Sequence, residues 1–169
     1  SRPSSVSWSN VATALRAVSY SYLENSDLIS GLTETNSGLT ISRSYEPHRD
    51  LLTQVKNMSG TNVISQFDYA SDAIGRRTSV KNSGLAFLAN SNVDDLAAFN
   101  LYGYNTRSEL TSAHRYFGTD LGSTNTPVGL QQYGYEYDNI GNRLTAMEGD
   151  GPPSPPASYT ANNLNQYSQ

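Results

Sequence analysis

The sequence predicts an all-β fold, with antiparallel hairpins stacked into an extended, twisted or spiral sheet and one short helix near 93–99. Three observations carry this. Tyr133, Tyr135 and Tyr137 alternate with Gly134 and Glu136, so the three rings fall on one face of an extended chain. Asp138-Asn139-Ile140-Gly141 follows. Its aspartate suits the opening of a type I turn, and its glycine suits a left-handed residue that bulges the chain back. The same phrase then recurs: Asp-x-Ile-Gly-x-Arg stands at Asp72 to Arg77 and at Asp138 to Arg143.

Looser copies run aromatic, polar turn, apolar-Thr/Ser. They are Tyr20 to Ser30, Tyr45 to Thr53 and Tyr102 to Ser112. Aligned on Tyr22, Tyr45, Tyr69, Tyr104 and Tyr137, they are spaced by 23, 24, 35 and 33 residues, a unit of two dozen with two longer copies. Tyr135 belongs to the same aromatic pattern. A fixed period of this size marks a repeat architecture.

Tyr135-Glu136-Tyr137-Asp138-Asn139-Ile140-Gly141-Asn142-Arg143-Leu144 resembles the YD repeat of the bacterial RHS (rearrangement-hotspot) family. Tyr159-Thr160-Ala161-Asn162-Asn163-Leu164-Asn165-Gln166-Tyr167 resembles a second phrase of that family. The resemblance covers roughly 20–169 and is strongest at 67–80 and 133–167. It implies long hairpins wound into a spiral sheet that forms a hollow shell, secreted or at a cell surface. In bacterial toxins such a shell encloses a toxic segment; in animal teneurins it serves adhesion. On this reading residues 1–19 are an irregular segment with a lead-in strand. Residues 20–169 are a YD-repeat region, a fragment of a longer repeat protein.

The elements follow in order. Val6 and Trp8 alternate with serines, which fits a short strand. Residues 16–23 read as a strand before the turn Asn25-Ser26-Asp27, and 28–35 return. Asn36-Ser37-Gly38 turns again, and Pro47 helps to end the strand 39–45. Residues 51–57 and 63–69 form a hairpin about Ser59-Gly60-Thr61-Asn62. Asn92 fits a helix N-cap, with Asp94 and Asp95 in the first turn. Strands return at 100–104 and 111–117, with a turn at Thr106–Ser108. Residues 118–129 read as a polar loop, and the proline-rich 149–158 as an extended one. Counting outward from the last turn pairs Tyr137 with Asn142, Glu136 with Arg143 as an ion pair, and Tyr135 with Leu144. The same count pairs Tyr69 with Thr78.

Composition bounds the function. A net charge of −4 and two lysines leave no basic footprint for nucleic acid. No apolar run is long enough to span a bilayer as a helix. Zero cysteines exclude a disulfide scaffold and a thiolate site. His48 and His114 are far apart, and no Gly-x-Ser-x-Gly elbow is present. Asp94-Asp95 is explained by a helix start. Asp72, Gly75, Asp138 and Gly141 recur as turn residues, which favours a structural role; calcium there would need several converging oxygens. No catalytic residue, metal ligand or cofactor site is therefore assigned. The expected partners are neighbouring repeats of the parent chain and further copies joined at strand edges. The tyrosine rows also offer a stacking platform for a glycan, so a carbohydrate-binding or adhesion module is the alternative function. Cross-strand packing explains the same rows.

Overall fold

The computed structural model describes residues 2–8, 16–88, 97–149, 157–162 and 166–168. Twelve strands form one sheet in the order of the chain, each pairing antiparallel with the next. They are β1 (Ser5–Trp8), β2 (Arg16–Tyr22), β3 (Ile29–Glu34), β4 (Leu39–Tyr45), β5 (Leu52–Ser59) and β6 (Asn62–Ser71). There follow β7 (Arg77–Ser83), β8 (Ala98–Tyr104), β9 (Leu110–Phe117), β10 (Pro127–Tyr137), β11 (Arg143–Glu148) and β12 (Ala157–Ser158). Two further strands, β13 (Thr160–Ala161) and β14 (Tyr167–Ser168), pair with each other. A single turn of 3-10 helix, Leu85–Phe87, follows β7.

This simple order sends the connections alternately to two margins. One margin holds the turns after β2, β4, β6, β8 and β10. They span two dozen to three dozen residues each to the next, which is the period seen in the sequence. The other margin absorbs the variation in length. There Gly60-Thr61 joins β5 to β6, whereas residues 84–97 join β7 to β8 and 118–126 join β9 to β10. The two longer copies are thus long on one margin only.

The register sorts the side chains. One row across five strands reads Ser21, Gly31, Ser42, Lys56 and Gln66. Rows on the opposite face read Tyr20, Leu32 and Ile41, and Arg43, Val55 and Phe67. One face of this half of the sheet is therefore polar, the other richer in aromatic and aliphatic side chains. Among the described residues little covers either face. The buried apolar residues among those described are Ala97, Ala98 and Phe99. Phe87 lays its ring edge-on to Phe67 at 5.5 Å, so the 3-10 turn shields one patch of the apolar face. The accessible surface is 11199 Å², against about 8,200 Å² for a compact monomer of this mass.

The structure corrects several expectations. Ala98 and Phe99 open β8 in place of ending a helix, and Ala97 before them is not helical; 93–96 of the expected helix, Asp94-Asp95 included, lie outside the described residues. Pro127 already belongs to β10, so the polar loop is shorter than expected. Ala157 and Ser158 are strand, and most of the proline-rich stretch lies outside the described residues. The register also differs. Tyr137 pairs with Arg143, Glu136 with Thr145 and Tyr135 with Ala146, with a bulge between the first two pairs. Tyr69 pairs with Val80 for the same reason. Each turn closes on its fourth residue past the aspartate, and one more residue on the return strand is then left unpaired. The expected Glu136–Arg143 ion pair does not form. Glu136 accepts from the Thr145 hydroxyl at 3.0 Å, and the Arg143 guanidinium lies over the Tyr135 ring at 5.1 Å.

Candidate functional site: a seam along one margin

The turn margin is where the recurrent residues meet. Asp72 Oδ1 accepts from the backbone N–H of Ile74 at 3.1 Å and of Arg76 at 2.9 Å. Asp138 Oδ1 does the same with Ile140 at 2.9 Å and Asn142 at 2.8 Å. Asp72 N–H donates to Arg76 O at 2.9 Å and Asp138 N–H to Asn142 O at 2.8 Å, closing equal loops. Gly75 and Gly141 take φ of 89° and 92°, the left-handed bend that lets the chain return. Asn105 builds the same loop, with Ser108 at φ 66° in the glycine's place.

Hydrogen bonds hold the two aspartates acidic. The Arg76 side chain, against some desolvation, keeps the Asp72 carboxyl below the usual carboxylate range, with help from the N–H groups of Arg76 and Ile74. At Asp138 partial desolvation pushes up, but bonds from Asn142, Ile140 and Gly141 together outweigh it and lower the carboxyl. Burial, helped by Tyr104, raises the Tyr102 phenol.

Tyrosines then sew several of the hairpins to the strand before them. Tyr45 Oη donates to Ile29 O at 2.9 Å, Tyr104 Oη to Arg77 O at 2.9 Å, and Tyr137 Oη to Leu110 O at 2.9 Å. The acceptor is always the first residue of the previous return strand. Tyr22 Oη makes the matching bond to Pro3 O at 2.7 Å. At the third hairpin this position is Ser71, not Tyr69. Tyr69 sits one pleat earlier, equivalent to Tyr135, and each of those two rings carries an arginine: Arg77 at 4.1 Å and Arg143 at 5.1 Å. The alignment on Tyr69 is therefore corrected to Ser71. Arg77 and Arg143 are the arginines of the recurrent phrase, so its last residue serves this stacking.

Arginines repeat the stitch at the turns. Arg49 donates to Asp72 O at 2.6 Å, Arg76 to Asn105 O at 3.2 Å, and Arg107 to Asp138 O. Each reaches the opening residue of the next turn. Among the described residues no three His, Asp or Glu side chains gather to hold a metal ion. His114 lies near Tyr116, at 3.4 Å, and His48 stands in the exposed turn after β4.

A sixth unit was missed in the sequence. Asn162 N–H donates to Gln166 O at 2.9 Å, and Asn162 Oδ1 accepts from Gln166 N–H at 3.0 Å. These are the bonds of Asp138 with Asn142 and of Asn105 with Glu109. Ala161 likewise pairs with Tyr167 as Tyr137 pairs with Arg143. Aligning on the turn-opening Asp or Asn, and not on tyrosine, would have found it, since Ala161 stands where the phenol is expected.

The fold has counterparts among solved structures. The crystal structure of TcdB2-TccC3 without its hypervariable C-terminal region matches 92% of this chain at a TM-score of 0.62 and 15% identity. The chain has an RHS-type β-sheet fold. The Photorhabdus luminescens Tc holotoxin pore carrying the TccC3-D651A mutation matches 97% of it at a TM-score of 0.57 and 18% identity. The matches span 7% and 10% of those chains. No protein-family model and no curated protein matches the sequence. No helix among the described residues is long and apolar enough to cross a membrane.

Proposed function

We propose that this chain is a structural YD-repeat segment of a secreted or cell-surface RHS-like protein, forming part of the wall of a β-sheet shell. The observation that carries the proposal is the use made of its distinctive side chains. The recurrent aspartates close turns, the tyrosine hydroxyls end on neighbouring strands, and the arginines bridge successive turns. Residues committed in this way build a surface. On this reading the chain is not an enzyme and needs no cofactor. Its partners are the flanking repeats of a longer chain. The fold shared with Tc toxin subunits supports a toxin shell as the setting. A glycan platform would want rings that stand clear of the sheet, but Tyr45, Tyr104 and Tyr137 are half-buried with their hydroxyls bonded.

Hydrogen exchange with a parallel glycan-array screen tests this. A wall gives protection across β2 to β11 and no glycan binding. A glycan bound in solution, and lost in Tyr135→Ala, would establish the binding module instead.

A further inference from the structure

We propose that the aromatic face of the sheet, around Arg77 and Arg115, is a docking surface for a polypeptide segment that carries carboxylates beside apolar side chains. The inference rests on the structural reading above for the sheet itself and adds the chemistry of a partner.

The first support is how the charges are sorted. Tyr69, Val80, Asn100 and Arg115 lie side by side in one row of that face. The Arg77 guanidinium lies over Tyr69 on the same face, at 4.1 Å. Arg43 and Arg143 belong to it too, the first in line with Val55 and Phe67, the second over the Tyr135 ring. The ion pairs lie elsewhere. Arg49, Arg76 and Arg107 find their carboxylates within the turns, and Lys81 finds Asp68 on the polar face at 3.9 Å. Among the described residues none of Arg43, Arg77, Arg115 and Arg143 has a carboxylate at ion-pair distance. The carboxylates of this face among the described residues are Glu34 and Glu148, the last residues of β3 and β11. Glu34 is turned to its own connection, where it accepts from Ser37 N–H at 2.6 Å. A chain of net charge −4 thus keeps its unpaired arginines on the aromatic face.

The second support is the setting of Arg77 and Arg115. Tyr102 stands two residues along β8 from Asn100. Burial raises its phenol most, and the Arg77 and Arg115 charges both pull against that. The two cations therefore flank one half-buried phenol, and neither is compensated by its own bonds. Arg77 Nη1 is buried without a hydrogen-bond partner, and Arg115 makes a long bond of 3.4 Å to Asn82 Oδ1. Half out of water, such groups attract an anion more strongly than they would on an open surface. A carboxylate meets the guanidinium fork with two parallel bonds. The Tyr69 ring and Val80 beside them call for apolar side chains on the same ligand. A nucleic acid fits less well. Its strand carries a charge about every 3.4 Å, whereas β7 and β9 lie two strands, roughly 10 Å, apart.

Fluorescence anisotropy of a labelled peptide repeating Glu-Glu-Leu-Leu tests this. When extended, each of its faces shows both kinds of side chain. The comparison probes are the same peptide with Gln for Glu, and oligothymidylate. Wild type should bind the acidic peptide in preference to both, and added salt should weaken it. R77Q/R115Q should bind at least about tenfold more weakly, since each charge-assisted bond is worth about that factor. K56Q/K81Q removes the same charge from the polar face and should bind as wild type does. Circular dichroism checks the sheet of each variant. Should R77Q/R115Q lose it, R115Q alone, which breaks no ring stack, is read in its place. The proposal is overturned if wild type does not bind the acidic peptide, binds the Gln peptide equally or binds oligothymidylate more tightly. It is overturned too if a folded arginine variant binds as wild type does, or if K56Q/K81Q loses as much. Each of these failures leaves the wall reading standing, because that reading needs only the pairing inside one chain.

Discussion

Removing one hydroxyl tests the tyrosine seam directly. In Tyr104→Phe the ring keeps its place and its contact with the Arg76 guanidinium, at 4.8 Å. What is lost is the 2.9 Å bond to Arg77 O. A neutral bond of this kind stabilises by about 1 kcal/mol net, and the site is half-buried, so water repairs part of the loss. Tyr104→Ala removes the ring as well. Half the burial of an aromatic side chain adds about 1 kcal/mol, and the cation contact at least ~0.5 kcal/mol. The alanine variant should thus cost roughly two to three times the phenylalanine one. Tyr137→Phe acts on a different carbonyl, that of Leu110, so the double phenylalanine variant should lose the sum. Repeat arrays need not melt as one unit. The assay is therefore native-state hydrogen exchange, read as the opening free energy of β7 and β8 for Tyr104 and of β9 and β10 for Tyr137. A change below ~0.3 kcal/mol in both phenylalanine variants, with a normal cost for alanine, would refute the stitch. The ring alone would then account for the residue.

Other outcomes follow from the same geometry. Gly75→Ala and Gly141→Ala should each cost about 1 kcal/mol or more through left-handed strain, measured by urea unfolding; at Gly141 a Cβ would also stand 3.1 Å from Glu109 Oε1. Ser71→Tyr supplies the missing phenol opposite Leu52 and should raise protection of β5 and β6. Unchanged exchange there would show that the third seam has no place for it. Asp72 and Asp138 have lowered folded-state pKa values, so the stability they add is complete above the unfolded carboxylate range, near 3.9, and fades as pH falls through the folded values. Melting temperature should drop steeply below about pH 4. Asp138→Asn should flatten that fall while keeping the turn, as Asn105 and Asn162 do at the same position.

The sequence was most legible where chemistry is local. Asp-x-Ile-Gly fixes a loop through bonds within five residues, so its two copies marked two turns correctly and implied the hairpins around them. Register was not legible in the same way. The extra residue at Leu144 or Thr78 is imposed by how the turn hands its twist to the strands, and neither side chain announces it. The seam was also hidden. Tyr137 bonds a residue 27 positions earlier, and periodic spacing hints at such a contact without saying which atom receives it. Ser71 and Ala161 misled the tyrosine alignment because a repeat tolerates a missing rung. The expectation of a helix near 93–99 rested on capping signals, and at Ala98 and Phe99 pairing with β7 and β9 overrode local preference.

The two margins have different evolutionary freedom. The tyrosine and arginine stitches that set one hairpin on the next lie along the margin of the recurrent turns; the other margin holds backbone links, Gly60 N–H to Gly38 O at 3.0 Å and Gly118 N–H to Ala97 O at 2.7 Å. A residue added at the recurrent turns would move an arginine or a phenol off its acceptor. On the other margin the connection after β5 has two residues, Gly60 and Thr61, while the one after β9 runs from Gly118 to Thr126; β10 then pairs irregularly with β9 between Pro127 and Gln132 and regularly from Gln132 to Gly134. Length differences on that side are therefore absorbed in the connection and the first residues of the next strand. For an engineer, the stretch 118–126 is the port for grafting a foreign loop, tag or epitope. A series of such grafts would decorate one rim of the sheet at intervals set by the repeat.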